Sequence, residues 1–133
     1  MSAAVVFPGQ GSQFAGMADA WISHPASEAV LEEASAALRR DIAEGSRDEA
    51  ALARTEFVQP AILALDVATF RVLRDEGATF SGAAGHSLGE FAALVATEVL
   101  ELTDAIEIVI VRGRAMQEAG ERRPGTMTAL LGV

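Results

Sequence analysis

Gly85-His86-Ser87-Leu88-Gly89 has the G-x-S-x-G spacing of a nucleophile elbow. In such an elbow a serine sits on a sharp turn between a strand and a helix. The glycines are needed because the turn brings the two backbones close together. A small-residue stretch, Gly82-Ala83-Ala84, precedes the turn and reads as a strand, and Glu90 to Val99 after it reads as a helix. This order would project Ser87 Oγ outward at the positive end of the helix. The backbone N–H of Leu88 could then stabilise an oxyanion. A plainer role fits part of the pattern, because Ser87-x-x-Glu90 is also a capping box in which Ser87 only caps the helix. The two flanking glycines behind a small-residue strand favour the elbow.

An elbow takes its second oxyanion donor from the loop after an early strand. Phe7-Pro8-Gly9-Gln10-Gly11-Ser12-Gln13 is such a loop, and its glycines allow the N–H near Gln10 to turn outward. A dinucleotide fingerprint starting at Gly9 would need glycine where Phe14 stands, and a Walker A loop would need a lysine that the chain lacks. Farther along, Ile106, Ile108, Val109, Ile110 and Val111 surround Arg112. At helical spacing they point nearly all round the axis, which predicts a helix buried on most sides. An arginine there requires an anionic partner. The partner is either one of the 19 acidic side chains or a substrate carboxylate held by the guanidinium fork.

Composition narrows the chemistry further. The 133 residues suit one domain, and with half of them hydrophobic a packed core is within reach. There is no Cys, and all ten basic residues are Arg. Thiol nucleophiles, Cys-ligated metals and Lys Schiff bases are therefore excluded. The two histidines, His24 and His86, lie far apart in sequence, so a metal site is hard to assemble. A net charge of −9 repels nucleic acid and anionic membranes. No apolar run reaches the roughly 18 residues of a membrane span. No basic segment precedes the apolar N-terminus, so a cytoplasmic location is expected.

Positioning these groups requires strands and helices in alternation. Ala4 to Phe7 reads as a buried strand, Gly16 to Trp21 as a helical segment, and Ala26 to Ala37 as a second helix. His24, before Pro25, reads as an exposed loop residue. Asp41 to Thr55 suggests short helical pieces. Pro60 is expected to open a helix that Gly77 ends. Thr103-Asp104 would cap a helix running to about Ala119, followed by a charged turn from Glu121 to Gly125. Met127 to Val133 reads as a strand with no partner inside the chain. Its lack of a partner predicts an isolated chain that is unstable or self-associates. The alternation implies an α/β fold with a parallel sheet.

Three segments together resemble the malonyl-CoA:acyl carrier protein transacylases and the related acyltransferase domains of polyketide synthases. They are Phe7 to Gln13, Gly85 to Glu90, and Val111-Arg112-Gly113-Arg114-Ala115-Met116-Gln117, in that order. Gly125 to Gly132 also resembles the family's passage into its small subdomain. The resemblance implies an α/β-hydrolase-like large subdomain, incomplete here, over residues 1–125. Residues 126–133 would be the first strand of a ferredoxin-like small subdomain.

It also implies a reaction. Ser87 would take a malonyl group from CoA and pass it to the phosphopantetheine thiol of acyl carrier protein. Gln10 and Leu88 would supply the oxyanion-hole N–H groups and Arg112 would bind the malonyl carboxylate, with Gln10 and His86 also at the substrate. No cofactor or metal is implied. Members of the family are more than twice this length, and their general-base histidine lies past the point where this chain stops. The implied partners are malonyl-CoA, acyl carrier protein and a missing C-terminal half, without which the chain would be inactive. Two other readings stay open: a serine hydrolase of the patatin or esterase type, and a non-catalytic fragment that binds a carrier protein.

Overall fold

The computed structural model describes residues 3–126 together with Thr128 and Leu130. The expected strand from Met127 to Val133 falls largely outside the described residues. Two strands, β1 (Ala4–Phe7) and β2 (Gly82–Gly85), pair in parallel, with Ala4 opposite Gly82 and Phe7 opposite Gly85. The helices are α1 (Pro25–Leu38), α2 (Ile42–Gly45), α3 (Glu49–Leu52), α4 (Thr55–Asp75), α5 (Gly89–Ala96) and α6 (Leu102–Arg122). The α/β class and the parallel pairing agree with the sequence.

Helix α4 forms the centre of the core. Phe57, Val58, Ala61, Leu63, Ala64, Val67 and Ala68 are all buried on it, and it packs against α1, α5 and α6. Pro60 lies inside this helix rather than at its start. An internal proline costs about 3 kcal/mol. Burying Phe57 and Val58 ahead of it returns about 1.5–3 kcal/mol each, so packing extends the helix upstream. Gly113 lets α6 lie against this first turn, because a Cβ there would sit 3.0 Å from the Thr55 carbonyl oxygen.

Several other boundaries move for identifiable reasons. Phe14 to Ser23 is a run of turns rather than a helix, with Gly16 in the left-handed region at φ 79°. His24 is not a free surface side chain. Its Nδ1 accepts from the Ala26 N–H at 3.2 Å and caps α1, while Nε2 lies 3.6 Å from a Glu76 carboxylate oxygen. Helix α5 stops at Ala96 because Glu98 turns left-handed at φ 59°. Glu101 stands at the N-cap position of helix α6 without a side-chain cap bond, and the helix runs into the expected charged turn as far as Arg122. Thr103 instead donates to Glu33 Oε1 at 2.6 Å.

Two surfaces are more open than the sequence suggested. Strand β1 fully buries only Phe7, and Val6 is 70% exposed. Helix α6 is buried along one stripe, Ala105, Ile106, Val109, Ile110 and Gly113, leaving Val111 67% and Ile108 45% exposed. The apolar run around Arg112 is therefore not enclosed on most sides. Among the described residues, no helix is long and apolar enough to cross a membrane.

Candidate active site

The strand β2, a sharp turn at His86–Leu88 and helix α5 form the elbow, and its glycines are sterically required. A Cβ on Gly85 would lie 2.1 Å from the Gly89 carbonyl carbon, and one on Gly89 would lie 2.3 Å from the Phe7 carbonyl oxygen. Two backbone bonds lock the turn: His86 N–H donates to Phe7 O and Gly89 N–H to His86 O, both at 3.0 Å. Ser87 takes a left-handed φ of 54°. For a residue with a Cβ this conformation costs about 1–3 kcal/mol, and it is held only by surrounding structure. The capping-box alternative does not hold. Leu88, not Ser87, is the N-cap of α5, and no side chain makes a cap bond there.

The loop after β1 lies directly against this turn. A Cβ on Gly9 would meet the His86 carbonyl oxygen at 2.6 Å and Nδ1 at 3.1 Å. Gln10 is thus carried next to the elbow, as expected. Among the described residues, neither the Gln10 N–H nor the Leu88 N–H donates to a backbone or side-chain acceptor. His86 is exposed, and its imidazole makes no hydrogen bond to Ser87.

Arg112 reaches Ser87. Its Nη2 donates to Ser87 Oγ at 3.2 Å, and its Nη1 donates to Gln59 Oε1 at 2.5 Å. The arginine ion pairs among the described residues belong to Arg40, Arg47, Arg54 and Arg122, so Arg112 has no carboxylate. The structural salt bridge considered from sequence is absent among the described residues. A half-buried guanidinium paired only with neutral groups keeps most of its charge for a ligand.

Gln59 is the residue that sequence reading missed. It is 1% exposed, in the second turn of α4 just before Pro60. Its Oε1 receives Arg112, while its Nε2 donates to Gln10 Oε1 at 3.1 Å. Gln10 Nε2 in turn reaches Thr55 Oγ1 at 3.4 Å. One buried amide thus ties the guanidinium to the loop after β1. The available signal was a glutamine inside an otherwise apolar helical run, because a buried polar side chain needs a specific partner.

Comparison with known proteins identifies the family. Residues 4–131 match the acyl transferase domain family. The chain belongs to that family. It is 44% identical to the malonyl CoA-acyl carrier protein transacylase of Escherichia coli strain K12, over 98% of this chain and 43% of the relative. The malonyl-CoA:ACP transacylase of Synechocystis sp. PCC 6803 superposes with a TM-score of 0.86 at 36% identity, over 90% of this chain and 41% of that one. A malonyl-transacylase solved in complex with a type II polyketide synthase acyl-carrier protein matches at 43% identity and TM-score 0.81, over 90% of this chain and 40% of that one. The chain therefore spans less than half the length of these relatives.

Proposed function

We propose that this chain carries the nucleophile and carboxylate-binding part of a malonyl-CoA:acyl carrier protein transacylase. The observation that carries the reading is a guanidinium without a carboxylate, hydrogen-bonded to the elbow serine. In the first half-reaction Ser87 Oγ attacks the thioester carbonyl, and the oxyanion is met by the N–H groups of Gln10 and Leu88. The C–S bond breaks, CoA leaves as the thiol, and the malonyl ester stays on Ser87. In the second, the phosphopantetheine thiol of the carrier protein attacks that ester and Ser87 regains its proton. Arg112 holds the malonyl carboxylate throughout. A neutral acetyl group leaves that charge unpaired, which disfavours it.

Proton transfer needs a base near Ser87. His86, the histidine beside it, is not hydrogen-bonded to Oγ. We assign the base to polypeptide outside residues 1–133, in keeping with relatives more than twice as long. Residues 1–125 then form part of the large subdomain and 126–133 begin the small one. The apolar surfaces at Val6, Ile108 and Val111 suit contact with that further polypeptide. Activity in the cytoplasm, in fatty acid or polyketide synthesis, follows from the same reading.

Intact mass of the chain after incubation with malonyl-CoA, with acetyl-CoA as control, tests it. Residues 1–133 alone, without the base, should label slowly or not at all; with the further polypeptide supplied, a malonyl adduct on Ser87 that acetyl-CoA does not produce is the expected result. Equal labelling by both donors, or an adduct on another residue, overturns the assignment. No adduct even with the further polypeptide present would overturn the role of Ser87 as the nucleophile.

A further inference from the structure

We propose that the cavity behind the oxyanion loop binds a small organic cation, an ammonium group on an apolar stem, with Asp66 as its counter-charge. The inference is independent of the acyl-transfer reading. The cavity has a volume of about 310 Å³. That is at the lower end of the usual range for small-molecule sites, about 300–1,000 Å³. Pro8 and Ser12 form one wall, Phe14 and Trp21 another, and Leu65 and Asp66 of α4 the floor.

Asp66 is the anomaly in this wall. It sits mid-helix among buried apolar residues, and its Oδ2 is buried with no hydrogen-bond partner among the described residues. Buried polar atoms nearly always have partners. Burial pushes its carboxyl up from the ordinary 3.8 to about 7. None of the other residues lining the cavity is ionisable, so nothing inside it competes for the charge.

An occupant must satisfy both the lining and the acid. The lining is mainly apolar, and Phe14 presents a ring that is 66% exposed. An anion would meet Asp66 unfavourably. No group of three metal-binding side chains exists among the described residues, and one carboxylate does not make a metal site. An ammonium on an alkyl stem pairs with the accessible Oδ1 side of the Asp66 carboxyl, favours its carboxylate form and covers the apolar wall. Pro8 and Ser12 flank Gln10, so an occupant also bears on the loop that carries the oxyanion donor.

The chain supplies its own probe, because Trp21 is its only tryptophan and lines the cavity. The whole chain is titrated with n-hexylammonium, and with n-hexanol as the uncharged analogue, reading Trp21 fluorescence at pH 8. The expected result is a saturable change, with the amine binding about tenfold or more tighter than the alcohol. Asp66→Asn should bring the two ligands level, and Phe14→Ala should weaken both. At pH 5, where Asp66 is protonated, the preference for the amine should shrink. Equal binding of amine and alcohol, amine binding unaffected by Asp66→Asn, or no saturable response would each overturn the proposal. Far-UV circular dichroism of both variants separates lost binding from lost folding.

Discussion

The corner where β1, the Pro8–Ser12 loop and the elbow meet is tightly packed, whereas the surfaces at Val6 on β1 and at Ile108 and Val111 on α6 are open. In the corner, a single added methyl at Gly85 would overlap backbone at 2.1 Å. On the open surfaces, Val6 of β1 and Val111 of α6 keep about two thirds or more of their surface in solvent, at 70% and 67%. Parallel sheets ordinarily have both faces covered. The difference separates what short-range sequence determines from what contacts across the fold determine. The elbow is fixed by residues close together in sequence and one neighbouring strand. Covering the sheet takes chain segments that the elbow does not specify.

Breaking the corner should have the largest effect. Gly85→Ala forces strand and helix apart and is expected to cost on the order of 4 kcal/mol or more, read as a lower thermal midpoint. An unchanged melt would mean that the two backbones do not touch there. Next comes Asp66→Asn. The folded chain keeps the Asp66 proton up to about pH 7, while the unfolded chain releases it near the ordinary 3.8. Wild-type stability therefore falls as pH rises from about 4 through 7, and asparagine carries no such penalty. The variant should melt higher at pH 8, by on the order of 2 kcal/mol, and the gap should close near pH 4. A constant gap across pH would refute the burial of this acid.

Ser87→Gly sharpens the comparison at the nucleophile itself. Glycine accepts the left-handed φ of 54° without strain, so the variant should gain about 1 kcal/mol while losing the nucleophile. Ser87→Ala keeps the strain and should not show this gain. The smallest effect on stability is expected on the open surfaces. Val111→Lys should stay within about 0.5 kcal/mol of wild type and reduce any self-association in sedimentation velocity. A large loss of stability there would show that Val111 is packed after all.

The sequence made the elbow legible because its signals are local. Gly85, Ser87 and Gly89 lie within five positions of each other. The oxyanion loop was legible for the same reason. What could not be read were the long-range choices. Gln59 meets Arg112 across 53 positions, and nothing near residue 59 marks that partner. Pro60 suggested a helix start because a local rule favours proline at the first position. Burial of Phe57 and Val58 against the rest of the core outweighed that rule. The hydrophobicity around Arg112 suggested burial on most sides, yet one stripe alone is covered among the described residues. Periodicity gives the direction in which side chains point, not whether another element lies there to meet them.

The central claim is that Arg112 stands free beside Ser87 as a carboxylate receptor. An NMR titration of the labelled chain with malonyl-CoA, against acetyl-CoA, reads this directly at the Arg112 side-chain N–H and the Leu88 amide, and needs no general base. The account predicts saturable shifts at both positions with malonyl-CoA, and binding of acetyl-CoA weaker by about tenfold or more. Equal shifts with both ligands, or malonyl-CoA binding that leaves Arg112 unmoved, would contradict it.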